Sequence, residues 1–161
     1  MPESFHVHLA KEQFVFCSAH FITFGDNVCE PLHGHNYRVA ADLWGDLVEH
    51  EYVVDFIAAR DALAAITASL DHRVLLPTGH PKILVRNEGI EVIATFEDRR
   101  WVFPAADCVL LPIANTTAEL LARHLGTQLI EALGPAAETL TRIEVAVDEC
   151  DGQAGVWRRD R

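Results

Sequence analysis

The chain has 161 residues, half of them hydrophobic and 23% charged, enough for one domain with a real core and too apolar for a disordered protein. A formal net charge of −11 excludes a general nucleic-acid binder, which needs a basic face to neutralise phosphates, but leaves room for a small anionic substrate held by a few local Arg or Lys side chains. The cysteines, Cys17, Cys29, Cys108 and Cys150, are scattered without a CxxC pair, which disfavours a disulfide framework or a Cys-rich structural zinc site. With no basic leader before an apolar run, and nothing near the roughly 18 consecutive apolar residues of a membrane span, a reduced cytoplasmic protein without membrane segments is expected.

The chain opens as strand over 5–9 and 13–22, where Phe14 and Phe16 follow a period-two pattern. Gly, Asp, Asn and Pro mark 25–34 as loop, and 36–44 returns to strand before the Trp44-Gly45-Asp46 turn. Asp55 is placed to cap a helix with an apolar stripe of Phe56, Leu63, Ile66 and Leu70, ending at Asp71-His72-Arg73. Strand-like pieces follow over 83–86, 91–96 and 100–103, separated by turns at Asn87-Glu88-Gly89 and Glu97-Asp98-Arg99. Thr116 and Glu119 have capping-box spacing ahead of a row of Leu121, Leu125 and Leu129, and Gly134-Pro135 stops this second helix. Two last strands are expected over 140–149 and 154–158. Consecutive strands with short turns favour antiparallel pairing, so the class is α+β with both helices on one face of a sheet. Its other face must also be covered, which points to an oligomer.

The sharpest local feature is His33-Gly34-His35 at the start of a strand. Alternate strand residues share a face, so His33 and His35 can point at one ion, with Gly34 leaving room between them. His20 ends the preceding strand and can be brought alongside by antiparallel pairing. Three neutral imidazoles leave a fourth tetrahedral position open, the arrangement of a catalytic zinc. Ordinary surface or capping histidines satisfy the same spacing, and His6-Val7-His8 is a second such pair. Cys29 shares the loop before His33, where a thiol beside a metal can act as nucleophile or base; a small buried hydrophobe is its other reading. Asp71-His72 pairs a carboxylate with an imidazole, as an orienting dyad or simply a polar helix end. Glu149 follows Ile143, Val145 and Val147 on the apolar side of a strand, where a ligand with two N–H donors, or fraying into water, would relieve its burial.

Taken in order, Phe16-Cys17-Ser18-Ala19-His20, His33-Gly34-His35-Asn36-Tyr37, Val54-Asp55-Phe56, Leu70-Asp71-His72-Arg73-Val74-Leu75, Thr116-Thr117-Ala118-Glu119 and Val147-Asp148-Glu149 resemble the 6-pyruvoyltetrahydropterin synthase family, which includes the 6-carboxytetrahydropterin synthases of the queuosine (7-deazaguanine) pathway. The resemblance covers 1–161 as a single domain except for an apparent insertion at about 78–112. It implies a tunnelling fold (T-fold), a four-stranded antiparallel sheet with two helices on one face, here with an inserted β meander. It further implies homo-oligomers, trimers or hexamers, with sites at subunit interfaces. By the same resemblance His20, His33 and His35 hold Zn2+, Cys29 with Asp71 and His72 moves protons, and Glu149, Thr117 and Glu119 bind a pterin. The implied substrate is 7,8-dihydroneopterin triphosphate, and the Cys29-to-His33 spacing looks more like the 6-carboxy than the 6-pyruvoyl type. The 6-pyruvoyl reaction, a different pterin-like or purine-like substrate, and a non-catalytic metal- or pterin-binding protein are the alternatives. A zinc peptidase is disfavoured because no HExxH helix is present. Lys82, Arg86, Arg99 and Arg100 of the insertion are candidates to meet a phosphate, although the acidic balance is awkward for a triphosphate.

Overall fold

The computed structural model describes residues 3–25 and 28–161. Strands β1 (Phe5–Leu9), β2 (Val15–His20) and β5 (His33–Gly45) come first, with the short pair β3 (Thr23–Phe24) and β4 (Val28–Cys29) between β2 and β5. Helix α1 (Phe56–Ala68), β6 (Arg73–Pro77), the meander β7 (Leu84–Asn87), β8 (Glu91–Phe96) and β9 (Arg99–Pro104), and β10 (Cys108–Leu111) follow. Helix α2 (Ala118–Leu133), β11 (Leu140–Cys150) and β12 (Gln153–Asp160) complete the order.

The expected four antiparallel strands are β2-β5-β11-β12, but the sheet is wider, with seven strands in the order β10-β6-β2-β5-β11-β12 and β1 also paired with β5. Strands β6 and β10 join in parallel, β6 on β2 and β10 on β6. Each parallel pairing needs a crossover. Helix α1 lies in the first crossover and the meander in the second. Strand β10 was hidden in the sequence because its four residues carry no alternation of burial.

Alternation sets the faces of the long strands. In β5, Tyr37, Val39, Ala41 and Leu43 are buried, and in β11 Ile143, Val145 and Val147 are buried. These side chains meet Ala59 and Leu63 of α1 and Leu121, Leu125 and Leu129 of α2 in one core. A second, smaller core of Phe21, Leu76, Ile83, Val92, Ala94 and Phe96 joins the meander to the sheet.

Asp55 caps α1 as expected, its carboxylate accepting from the backbone N–H groups of Ile57 (2.7 Å) and Ala58 (3.2 Å). Phe56 is not part of the buried stripe; it is 64% exposed, because the first residue after the cap points away from the sheet. The helix stops at Ala68, so Asp71-His72 lies on a turn in which His72 has a φ of 55°, and Arg73 opens β6. The cap of α2 is Thr117, not Thr116: the Thr117 hydroxyl accepts from Leu120 N–H, whereas buried Thr116 donates its hydroxyl to the Phe21 carbonyl. Glu119 therefore sits one residue too early for a capping box.

Strand β12 passes so close under the start of α2 that a Cβ on Gly155 would lie 2.4 Å from the Glu119 backbone nitrogen. Backbone cannot step aside as a side chain can. Gly155→Ala is expected to cost about 1–3 kcal/mol, read as a shift in the urea midpoint at unchanged slope; an unchanged midpoint would contradict the close packing of β12 on α2.

Candidate functional site

Antiparallel pairing of β2 with β5 places His20 opposite His33, and the strand period adds His35 to the same face. One ring nitrogen from each of the three lies within 4.8 Å of the others. Among the described residues this is the group of three that could hold a metal ion. Gly34 serves a different purpose from the one expected. A Cβ there would sit 3.1 Å from the Ser18 carbonyl oxygen, so its bareness admits β2 rather than making room between the imidazoles.

Each imidazole is oriented by main chain. His20 Nδ1 is 2.9 Å from the Thr116 carbonyl oxygen, His33 Nδ1 is 2.9 Å from that of Pro31, and His35 hydrogen-bonds the backbone of Glu149. A ring N–H committed to a carbonyl fixes the tautomer and leaves the other nitrogen with a lone pair. In His20 that nitrogen, Nε2, is buried and without a hydrogen-bond partner. An orphaned acceptor beside two further imidazoles fits a divalent cation of the zinc type and is costly without one.

Burial pushes the His20 imidazole down to about 4; the bond to Thr116 opposes this, and His33 and His35 add to it. The folded pKa thus lies below the unfolded value of 6.5, and the unfolded chain binds the extra proton between these limits. The metal-free protein is expected to lose on the order of 3 kcal/mol at most through this group as pH falls from 6.5 to 4, and none above 6.5. Denaturant midpoints across that window check this against His20→Gln, which should lack the dependence.

Carboxylates surround the triad. Glu149 Oε1 lies 4.0 Å from His20 Nε2, and Glu30 Oε2 lies 3.9 Å from His33 Nε2. Glu149 falls where the register of β11 against β12 shifts between Asp148 and Cys150, on the same face of β11 as Ile143, Val145 and Val147. Its pKa is raised by burial and by Glu119 and Glu30, with His33 opposing, so it is a carboxylate short of a partner. Tyr37 continues the His33-His35 period; its hydroxyl is buried and unpaired, and burial with Glu149 and Glu30 nearby holds its pKa up. Neither Glu30 nor Tyr37 was singled out in the sequence. Alternation would have found Tyr37, whereas Glu30 carried no signal beyond sharing the loop with Cys29.

Cys29 is half-buried on β4, with its Sγ 3.7 Å from the Glu30 carbonyl oxygen and its side chain against the smaller core. Burial raises its pKa, Arg99 lowers it, and Glu30 and Glu97 add to the rise. Thr117 stands beside the site as the cap of α2, and Glu119, exposed on the first turn, is felt electrostatically by Glu149. Asp71 and His72 form a dyad, His72 Nδ1 being 2.8 Å from Asp71 Oδ2, while Asp71 Oδ1 accepts from the Cys17 N–H. No hydrogen bond or ion pair joins the dyad to the triad among the described residues. His72 N–H bonds the Cys17 carbonyl, three residues along β2 from His20, or roughly 10 Å at the rise of a strand. The His72 side chain is 83% exposed. His6 and His8 lie beside Asp42 on exposed surface, His8 Nδ1 at 2.8 Å, away from the triad.

No helix among the described residues is long and apolar enough to cross a membrane. The profile of the 6-pyruvoyl tetrahydropterin synthase family matches residues 9–159. A Methanocaldococcus jannaschii protein named "Putative 6-carboxy-5,6,7,8-tetrahydropterin synthase" is 32% identical over 146 residues, 89% of each chain. The 6-pyruvoyl tetrahydropterin synthase of Plasmodium vivax superposes with a TM-score of 0.91 at 29% identity, over 99% of this chain and 100% of its own. Two further structures of the P. vivax enzyme carry replacements of a glutamate described as a catalytic residue, one by alanine and one by cysteine. With its α+β T-fold, the chain belongs to the 6-pyruvoyl tetrahydropterin synthase family.

Proposed function

We propose that the protein is a zinc-dependent lyase of the 6-carboxy-5,6,7,8-tetrahydropterin synthase type, acting on 7,8-dihydroneopterin triphosphate in the 7-deazapurine pathway. The observation that carries this reading is the buried, unpaired Nε2 of His20 within a cluster of three oriented imidazoles, beside a loop with a thiol and a carboxylate. His20, His33 and His35 hold the zinc, which when bound acts as a Lewis acid that eases proton loss from carbon of the substrate side chain. Glu149, raised in pKa and short of donors, grips the N–H edge of the pterin ring, with Thr117 and Glu119 beside it. Cys29 takes or returns a proton on the side chain. Asp71 orients His72 and stabilises its charged form for the opposite transfer. Because His72 is largely exposed and its backbone sits about 10 Å along β2 from His20, on this reading the complete site draws the dyad from a second copy. That supports a homo-oligomer, a trimer or hexamer, with sites between subunits.

A second reading rests on Glu30. Its carboxylate lies 3.9 Å from His33 Nε2, and a glutamate is the catalytic residue described for the P. vivax enzyme. On this reading Glu30 is the base and the product is of the 6-pyruvoyl type, by elimination of triphosphate. Incubating the zinc-loaded protein with dihydroneopterin triphosphate and identifying products by mass spectrometry separates the two. Acetaldehyde with a 6-carboxypterin is expected, a 6-pyruvoyl product supports the second reading, and unchanged substrate overturns both.

A further inference from the structure

Four contacts tie the loop before His33 to the inserted meander and its flanks. The Arg99 guanidinium donates to two successive carbonyls, Cys29 O at 2.7 Å and Glu30 O at 3.1 Å. The same group lies 4.6 Å above the Trp101 ring, and Trp101 stacks on buried Phe21 with centroids 4.4 Å apart. At the entry to the meander, His80 Nδ1 accepts from the N–H groups of Lys82 and Ile83. Its Nε2 therefore carries the proton and donates to Thr23 Oγ1, 2.7 Å away. The loop is thus held at Thr23 by His80, which bonds Ile83 of the second core, and at Cys29-Glu30 by Arg99, which lies over Trp101 packed on that core.

We propose that the β7–β9 meander is a clamp that sets the Cys29-Glu30 loop against the histidine triad, with Arg99 as its positioning residue. The planar fork of arginine suits two adjacent carbonyls, and its flat face suits the Trp101 ring; a lysine offers a point charge that can do neither fully. The two carbonyls belong to the peptide planes on either side of Glu30, so holding both fixes the backbone at Glu30 and the direction of its Cα–Cβ bond, and holds the plane that follows Cys29. Arg99 is accordingly engaged with the loop, not with a phosphate. A loop displaced by about 1 Å would lower turnover far more than binding. The catalytic part of this inference rests on the function proposed above, whereas the clamp itself does not.

The test uses the zinc-loaded full chain with Arg99→Met, which keeps the stem over Trp101 and removes the donors, and with Arg99→Lys. Amide exchange of the 21–32 segment should accelerate at least about tenfold in Arg99→Met while 91–96 stays protected. With dihydroneopterin triphosphate, kcat should fall at least about tenfold with KM within about threefold, and Arg99→Lys should recover part of both effects. Unchanged exchange in 21–32 overturns the clamp. A large rise in KM at unchanged kcat also overturns it, since that marks a phosphate ligand. If the wild-type protein leaves this substrate untouched, the proposed function fails, and the exchange measurement still decides the clamp.

Discussion

His33→Ala is expected to lower metal affinity by at least about a hundredfold, more than loss of a supporting hydrogen bond does, and to abolish turnover. The three imidazoles are oriented separately, each by its own backbone partner, so removing one leaves two nitrogen ligands in place without a third to close the set. His33 is also the safest of the three to remove. Its side chain is 38% exposed, against 2% for His20, so the fold should survive and the loss can be assigned to the site. His6→Ala is the control. His6 lies on exposed surface beside Asp42 and should change neither metal content nor rate. Metal analysis after dialysis reads the result, and equal metal retention in both variants would remove the triad from consideration.

Cys29→Ala is expected to lower kcat by about 10²–10⁴, the range for a lost proton-transfer group, with Glu30→Gln costing about tenfold or less. Burial holds the Cys29 thiol above its ordinary value, with Arg99 opposing, so at neutral pH the metal-free thiol is protonated and set to give a proton; taking one requires that it first be deprotonated. Glu30 lies 3.9 Å from His33 Nε2, which makes the comparison a sharp one. If Glu30→Gln carries the large loss and Cys29→Ala the small one, the carboxylate is the base and the second reading replaces the first. Single-turnover rates, taken with metal content matched, read this directly.

How far the sequence could be read depended on whether a signal was local. The period of two along β5 is local, and it placed His33 and His35 together; its continuation to Tyr37 was there to be followed. The Asp55 cap and the Gly134 stop are local as well, Gly134 having the positive φ (53°) that a helix end favours. The cap of α2 was displaced by one residue because Thr116 and Thr117 offer the same hydroxyl. Tertiary contact decided between them, since Phe21 and His20 take the hydroxyl and carbonyl of Thr116. Helix periodicity likewise could not show that Phe56 precedes the buried stripe.

What stayed hidden is what the crossovers bring together. Strands β6 and β10 pair in parallel across long stretches of chain, and nothing near Cys108–Leu111 announces a partner at Arg73–Pro77. Arg99 lies 70 residues from Cys29 in sequence, so its hold on the loop had no local trace. Resemblance groups Asp71 and His72 with the site, whereas within one chain their partners are each other and the Cys17 backbone. Geometry therefore sharpens that expectation into one about a second copy.

The measurement that bears most directly on the account is anomalous diffraction at the zinc edge from crystals of the metal-loaded protein. One peak per chain is expected, about 2.0–2.1 Å from a ring nitrogen of each of His20, His33 and His35. A peak at His6, His8 and Asp42, or none within reach of His20 Nε2, would contradict it.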